Sequence, residues 1–147
     1  MKREETVDFH IRAAWHAIAR MYNQRAAEHD ATMSMGFVLL NIDSELGTPA
    51  TKIAPLMGLE ARSLTRILKT LEERRIIERR ADPNDKRSVR IFLTRDGRRR
   101  KEKARETVVR FNEAVRAVVP KSDLRVFFDV VQRINRVADR EHGQHPQ

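Results

Sequence analysis

The 147 residues are enough for one domain with a real core, and an apolar content of 40% places the chain among globular rather than disordered proteins. With 30 Lys and Arg against 21 Asp and Glu, a net charge of +9 and a pI near 10.7, its preferred partners are polyanions. There is no cysteine, which excludes disulfides, thiolate metal sites and thiol redox switches. No apolar run approaches the about 20 residues of a spanning helix, no lipidation signal is present, and Met1 to Glu5 is too charged for a secretory signal. A cytoplasmic protein without a membrane partner is the expectation.

Residues 5 to 29 show helical periodicity, with Val7, Ile11, Ala14, Trp15, Ile18, Met21 and Tyr22 on one side. So long a helix carries more apolar face than one globule needs, so part of it is expected to pack against a second subunit. A second helix is predicted from Ser34 to Leu46, with Gly47 as its stop. Thr48 and Pro49 then suit the N-cap and first turn of a short third helix whose buried face is Ile53, Leu56 and Met57. Met57-Gly58-Leu59 reads as a tight turn. In the helix that follows, Glu60 to Arg74, Leu64, Ile67, Leu68 and Leu71 fall at i, i+3, i+4 and i+7. Arg62, Ser63, Thr65, Arg66 and Lys69 are left pointing outward. Residues 50 to 74 therefore form a helix-turn-helix pattern, whose second helix suits a major groove.

Two β-prone runs come next, Ile76 to Arg80 and Ser88 to Leu93, separated by the loop Asp82-Pro-Asn-Asp-Lys-Arg87. Thr94 is an N-cap for a fifth helix that begins with Arg98-Arg-Arg-Lys101 and turns apolar at Val108, Val109, Phe111, Val115 and Val118. Pro120 ends it. A sixth helix from Ser122 to Asp139 presents Leu124, Phe127, Phe128, Val131, Ile134 and Val137. The run from Glu141 to Gln147 has no periodicity and reads as a flexible tail. The fold class is mainly α with a small β-wing, a winged helix-turn-helix between long terminal helices. The expected division is a dimerisation and effector helix over 1–33, a DNA-binding domain over 34–97, dimerisation helices over 98–140 and the tail over 141–147.

The run Leu71-Glu-Glu-Arg-Arg-Ile-Ile-Glu-Arg-Arg, then Asp82-Pro-Asn-Asp85-Lys-Arg87, then Ile91-Phe-Leu93-Thr94-Arg-Asp-Gly97 resembles the signature of MarR-type winged-helix repressors. That resemblance implies a homodimer on a short pseudo-palindromic operator, with the Glu60 to Arg74 helix in the major groove and Arg87 at the wing tip in the minor groove. Asp85 matches the acidic residue that holds the wing arginine in place. Arg75 departs from the pattern, since the family usually has glycine there, and implies either a strained cap or a different helix ending.

The candidate DNA contacts are Arg62, Ser63, Thr65, Arg66, Lys69, Asp85, Lys86 and Arg87. An arginine fork matches guanine O6 and N7 but clamps phosphate equally well, so Arg62 and Arg66 suit either role. Lys69 faces backbone, and Arg87 suits the enhanced negative potential of a narrow minor groove. Arg98 to Lys101 either grip flanking phosphates or form the solvated start of a helix. The resemblance also implies an effector pocket between the DNA-binding domain and the dimerising helices. Its candidate lining is Trp15, His16, Ile18, Arg20, Met21, Tyr22, Phe37 and Leu40; ordinary core packing is the competing reading of each. Similarity of Trp15 to Tyr22 with members linked to fatty-acid degradation points to an acyl-CoA as effector, with an aromatic or other organic acid as the alternative. No metal or other cofactor is expected, because His10, His16 and His29 are scattered on one helix and His142 and His145 lie in the tail. No catalytic arrangement is recognisable, so an enzyme is not expected. The rival function is non-specific, architectural DNA binding, which the charge alone would support.

Overall fold

The computed structural model describes residues 1–143; His145 and the rest of the expected tail beyond 143 lie outside the described residues. A single 3-10 turn at Arg3–Glu5 leads into α1 (Val7–Ala27), followed by α2 (Met33–Leu40), β1 (Thr48–Pro49), α3 (Ala50–Met57) and α4 (Ala61–Glu73). The hairpin β2 (Ile77–Asp82) and β3 (Asp85–Leu93) and the helices α5 (Arg95–Val118) and α6 (Lys121–Gly143) complete the chain. The three strands form one antiparallel sheet in the order β1-β3-β2. Two compact units are distinguished, Met1–Thr107 and a second that begins at Val108. No described helix is long and apolar enough to cross a membrane.

The core of the first unit is built where α2, α3, α4 and the sheet meet. Val38, Ile42, Ile53, Leu71, Ile77 and Ile91 are its largest fully buried side chains. On α4 the expected apolar stripe is realised: Leu64, Leu68 and Leu71 are buried and Ile67 packs against them from the edge. Thr32 caps α2 by accepting the Met35 N–H at 3.2 Å, and Asn23 on α1 accepts the Met33 N–H at 3.0 Å, so α1 and α2 are fastened end to end.

Four local expectations are corrected. First, α2 stops at Leu40 rather than Leu46, because the Asp43 carboxylate accepts the N–H groups of Leu46 (2.7 Å) and Glu45 (2.9 Å) and offers the backbone a turn instead of a helix. Those bonds, Leu46 first, lower the Asp43 pKa. Gly47 is therefore not a helix stop. It has φ +66°, and a Cβ there would meet the Ile91 carbonyl at 2.7 Å, so glycine is needed where the chain crosses β3. Second, Thr48 does not cap α3: it pairs with Ile91 in β1, and its Oγ1 accepts the Asp43 N–H at 2.9 Å. Third, Leu56 is 65% exposed. The inward positions of α3 are Ala50, Ile53, Ala54 and Met57, at i, i+3, i+4 and i+7, and Leu56 falls off that stripe. Fourth, α6 continues to Gly143, so residues 141 to 143 are helix rather than tail.

The hairpin is tighter than expected. Asp82 pairs with Asp85 across a two-residue turn, Pro83-Asn84, and Asp85, Lys86 and Arg87 are strand residues of β3 rather than loop. Arg87 is thus two positions into the strand, not at the tip.

Candidate nucleic-acid interface

The turn between α3 and α4 depends on Gly58, whose φ of +62° closes α3 with bonds from Gly58 N–H to the Pro55 carbonyl and from Leu59 N–H to the Ala54 carbonyl. It sets α4 running with its apolar stripe inward. Arg62, Ser63, Thr65, Arg66 and Lys69 are all exposed on the remaining face, as the periodicity predicts. The Thr65 hydroxyl donates to the Ala61 carbonyl at 2.9 Å, so what it offers a partner is lone pairs and a methyl group.

At the far end of α4 the Arg75 alternative is resolved in favour of the strained cap. Arg75 has φ +56°. Its N–H reaches the Glu72 carbonyl at 2.9 Å and the Ile76 N–H reaches the Leu71 carbonyl at 2.9 Å, the two bonds of a Schellman ending. The chain therefore turns sharply from α4 into β2. Thr94 secures that turn from the other side of the hairpin. Its hydroxyl lies 2.8 Å from the Arg75 carbonyl and 3.0 Å from the Ile76 carbonyl, and its Oγ1 also accepts the Gly97 N–H at 3.0 Å as the N-cap of α5. A Cβ at Gly97 would lie 2.1 Å from the Ile76 carbonyl oxygen. The Leu-Thr-x-x-Gly run is thus one device: Thr94 and Gly97 allow the base of the hairpin and the start of α5 to sit against the end of α4. Arg79 adds a side-chain link, with its Nε 3.0 Å from the Glu72 carboxylate on α4.

On the wing, Asp85 works differently from the expectation. Its carboxylate accepts the Ser88 hydroxyl at 2.8 Å and the Arg87 backbone N–H at 3.0 Å, which together hold its pKa below the usual carboxylate value. It fixes the backbone of Arg87 rather than the guanidinium. Other wing arginines are engaged within the fold: Arg80 pairs with Glu78 at 2.7 Å and lies over the Phe92 ring, and Arg90 pairs with Asp82 at 3.2 Å. By contrast, among the described residues Arg62, Arg66, Lys69, Lys86 and Arg87 have no carboxylate within ion-pair distance. The roles of Arg79, Arg80 and Arg90 escaped the sequence reading. Finding them requires the strand register, which the misjudged loop length concealed.

The basic start of α5 divides similarly. Arg100 and Arg99 both pair with Asp96, lowering its pKa in that order of effect. Arg100 also donates to the His29 carbonyl at 3.0 Å, and the Lys101 ammonium donates to the Ile42 carbonyl. Arg100 and Lys101 thus tie α5 to the segments after α1 and α2, Arg99 pairs only within its own helix, and among the described residues Arg98 is the exposed, unengaged member of the run.

Of the effector candidates, the structure brings Tyr22 and Phe37 together, edge to face with centroids 5.7 Å apart. Tyr22 is buried, which raises its pKa, while Ile18, Met21, Phe37 and Leu40 are partly buried. Trp15 is 50% exposed, and His16 and Arg20, one turn apart, are exposed as well.

The profile of the MarR family matches residues 31–89, which span α2 to most of β3. The HTH-type transcriptional regulator TtmR of Methylorubrum extorquens (strain PA1) is 38% identical over 90 residues, 61% of this chain and 46% of that protein. The chain spans about half the length of the curated relatives it matches first. Among solved structures, the MepR–DNA complex of S. aureus superposes with a TM-score of 0.82 at 18% identity, covering 90% of this chain and 98% of MepR. CouR from Rhodococcus jostii RHA1, bound to p-coumaroyl-CoA, gives 0.78 at 20% identity, covering 91% and 94%. At these identities the likeness establishes the winged-helix fold.

Proposed function

Because this chain belongs to the MarR family of winged-helix proteins, we propose that it is a sequence-specific transcriptional regulator, a homodimeric repressor that binds a pseudo-palindromic operator and responds to a small-molecule effector. One observation carries the reading. The exposed cations Arg62, Arg66 and Lys69 on α4 and Lys86 and Arg87 on β3 have no carboxylate partner among the described residues. The two elements that carry them are locked together by the Arg75 ending, Thr94 and the Arg79–Glu72 pair. Fixed geometry with unneutralised guanidinium groups is what recognition of one duplex site requires. Arg62 and Arg66 read base edges in the major groove, with Ser63 and Thr65 beside them. Lys69 and Lys86 meet phosphate, Arg87 enters the minor groove, and Asp85 holds its backbone in place.

Dimerisation is supported by apolar side chains left in solvent by a single copy. On α1 they are Val7 (52% exposed), Ile11 (45%) and Trp15 (50%), spaced one turn apart. On α6, Phe127, Phe128, Val130 and Val137 are 44–57% exposed. Large exposed apolar stripes of this kind mark an interface. Two copies then present two α4 helices to two half-sites.

For the effector, Tyr22 and Phe37 with Ile18, Met21 and Leu40 supply an apolar wall, and Trp15, His16 and Arg20 are the accessible groups of the same helix. An acyl-CoA is the favoured class, in keeping with the p-coumaroyl-CoA held by CouR; a free aromatic acid is the alternative. A thermal-shift panel separates them, since acyl-CoAs should stabilise the protein and weaken its grip on DNA, whereas stabilisation by aromatic acids alone would reverse the assignment.

The reading as a whole is tested by enriching a random-sequence duplex pool on the native protein. A single inverted repeat should emerge, and Arg66→Ala should weaken binding to it. Recovery of duplexes without a common sequence would favour architectural binding instead.

A further inference from the structure

All three nitrogens of the Arg90 guanidinium have partners within the fold. Nε and Nη2 each lie 3.2 Å from Oδ2 of Asp82, and Nη1 donates to the carbonyls of Leu46 (3.2 Å) and Gly47 (3.3 Å). Asp82 is buried, and its other oxygen, Oδ1, accepts the Asn84 N–H at 2.9 Å inside the hairpin turn. Arg90 sits on the central strand, with Arg80 opposite it on β2 and Pro49 on β1. It therefore joins the turn of the wing to the segment that precedes β1. Across that turn, Asp82 faces Asp85, the residue whose carboxylate fixes the Arg87 N–H.

We propose that Arg90 is a positioning residue for DNA recognition: through Asp82 it sets the wing turn, and through Asp85 the backbone from which Arg87 projects. The inference rests on the proposed reading that Arg87 contacts DNA. Its physical basis is the single planar fork, which spans a carboxylate and two carbonyls at once. A lysine keeps the charge but has one nitrogen and cannot reach both sides. Loss of the strut leaves the hairpin paired by its backbone yet free to change its angle, so that Arg87 is presented to the wrong place.

The test is a double-mutant cycle on the full chain, with the duplex that the native protein enriches from a random pool, and with binding referred to the fraction of active protein. Arg90→Lys should weaken binding by roughly tenfold, the scale of one lost wing contact. Arg87→Ala should cost about as much in the native background but less than about threefold in the Arg90→Lys background, because the contact is already gone. An equal effect of Arg87→Ala in both backgrounds would overturn the proposal, as would thermal destabilisation by Arg90→Lys with unchanged affinity of the folded protein. Should Arg90→Lys not fold, Asp82→Asn breaks the strut from its other end and carries the same cycle. If neither Arg87→Ala nor Arg66→Ala alters binding in the native background, the DNA-recognition reading itself fails, an outcome distinct from failure of the strut.

Discussion

Replacing Arg75 by glycine should stabilise the protein. Arg75 occupies the left-handed region at φ +56°, where an L side chain costs about 1–2 kcal/mol through the approach of Cβ to the following carbonyl. Glycine removes that cost and adds about 0.5–1 kcal/mol through the greater freedom of the unfolded chain. The difference leaves a gain of about 0.5–1 kcal/mol, or about 1–4 °C in Tm for a chain of this size. The Arg75 side chain is exposed, and both bonds that close α4 use main-chain atoms, so nothing else is lost. Urea and thermal unfolding of Arg75→Gly beside Arg75→Ala separates backbone from charge: alanine removes one positive charge but keeps the penalty, so only glycine should gain. Equal gains for both would assign the effect to charge in a chain of net charge +9, and no gain for glycine would refute the strained cap.

Other predictions concern the joints around α4 and the wing. Gly97→Ala drives a methyl group into the Ile76 carbonyl and should cost several kcal/mol in urea unfolding, because backbone rather than a flexible side chain must yield. Arg87→Ala should weaken operator binding by roughly 1–3 kcal/mol in fluorescence anisotropy while leaving the unfolding midpoint unchanged. Asp96→Asn should lower stability at neutral pH. Arg100 and then Arg99 depress the Asp96 pKa, so its contribution is full above the ordinary carboxylate range and is lost as pH falls through the lowered value. The gap between Asp96→Asn and the native protein should therefore close in acid, and a gap persisting in strong acid would contradict the ion pairs as its cause.

Helix α4 was legible because its message is local. Leu64, Leu68 and Leu71 repeat at helical spacing, and that pattern alone turns Arg62 and Arg66 outward. Thr94 was legible as a cap for the same reason. The errors have two sources. Asp43 ends α2 locally, by capturing the N–H groups two and three residues on, a turn that competes with the apolar run through Ile42. Thr48 is instead drawn into pairing with Ile91, a distant partner that local propensity does not reveal. The six-residue wing loop shrank to Pro83-Asn84 because Lys86 and Arg87, polar residues on an exposed strand, look like loop residues when no core face disciplines them. That misjudged length hid the Arg90–Asp82 strut, whose partners meet only in the observed register. An apolar surplus was legible too: Val7, Ile11 and Trp15 on α1 and Phe127, Phe128 and Val137 on α6 stay exposed in one copy, which is why a dimer is proposed.

Recognition of one DNA sequence by the α4 and wing cations is measured most directly by competition at physiological salt. Binding of the full chain to its enriched inverted-repeat duplex should be measured against a scrambled duplex of equal length and base composition. The protein should prefer the inverted repeat by roughly 10³-fold or more. Equal affinity for the two duplexes, with both weakening in parallel as salt is raised, would contradict it and leave only the non-specific attraction of a basic protein for a polyanion.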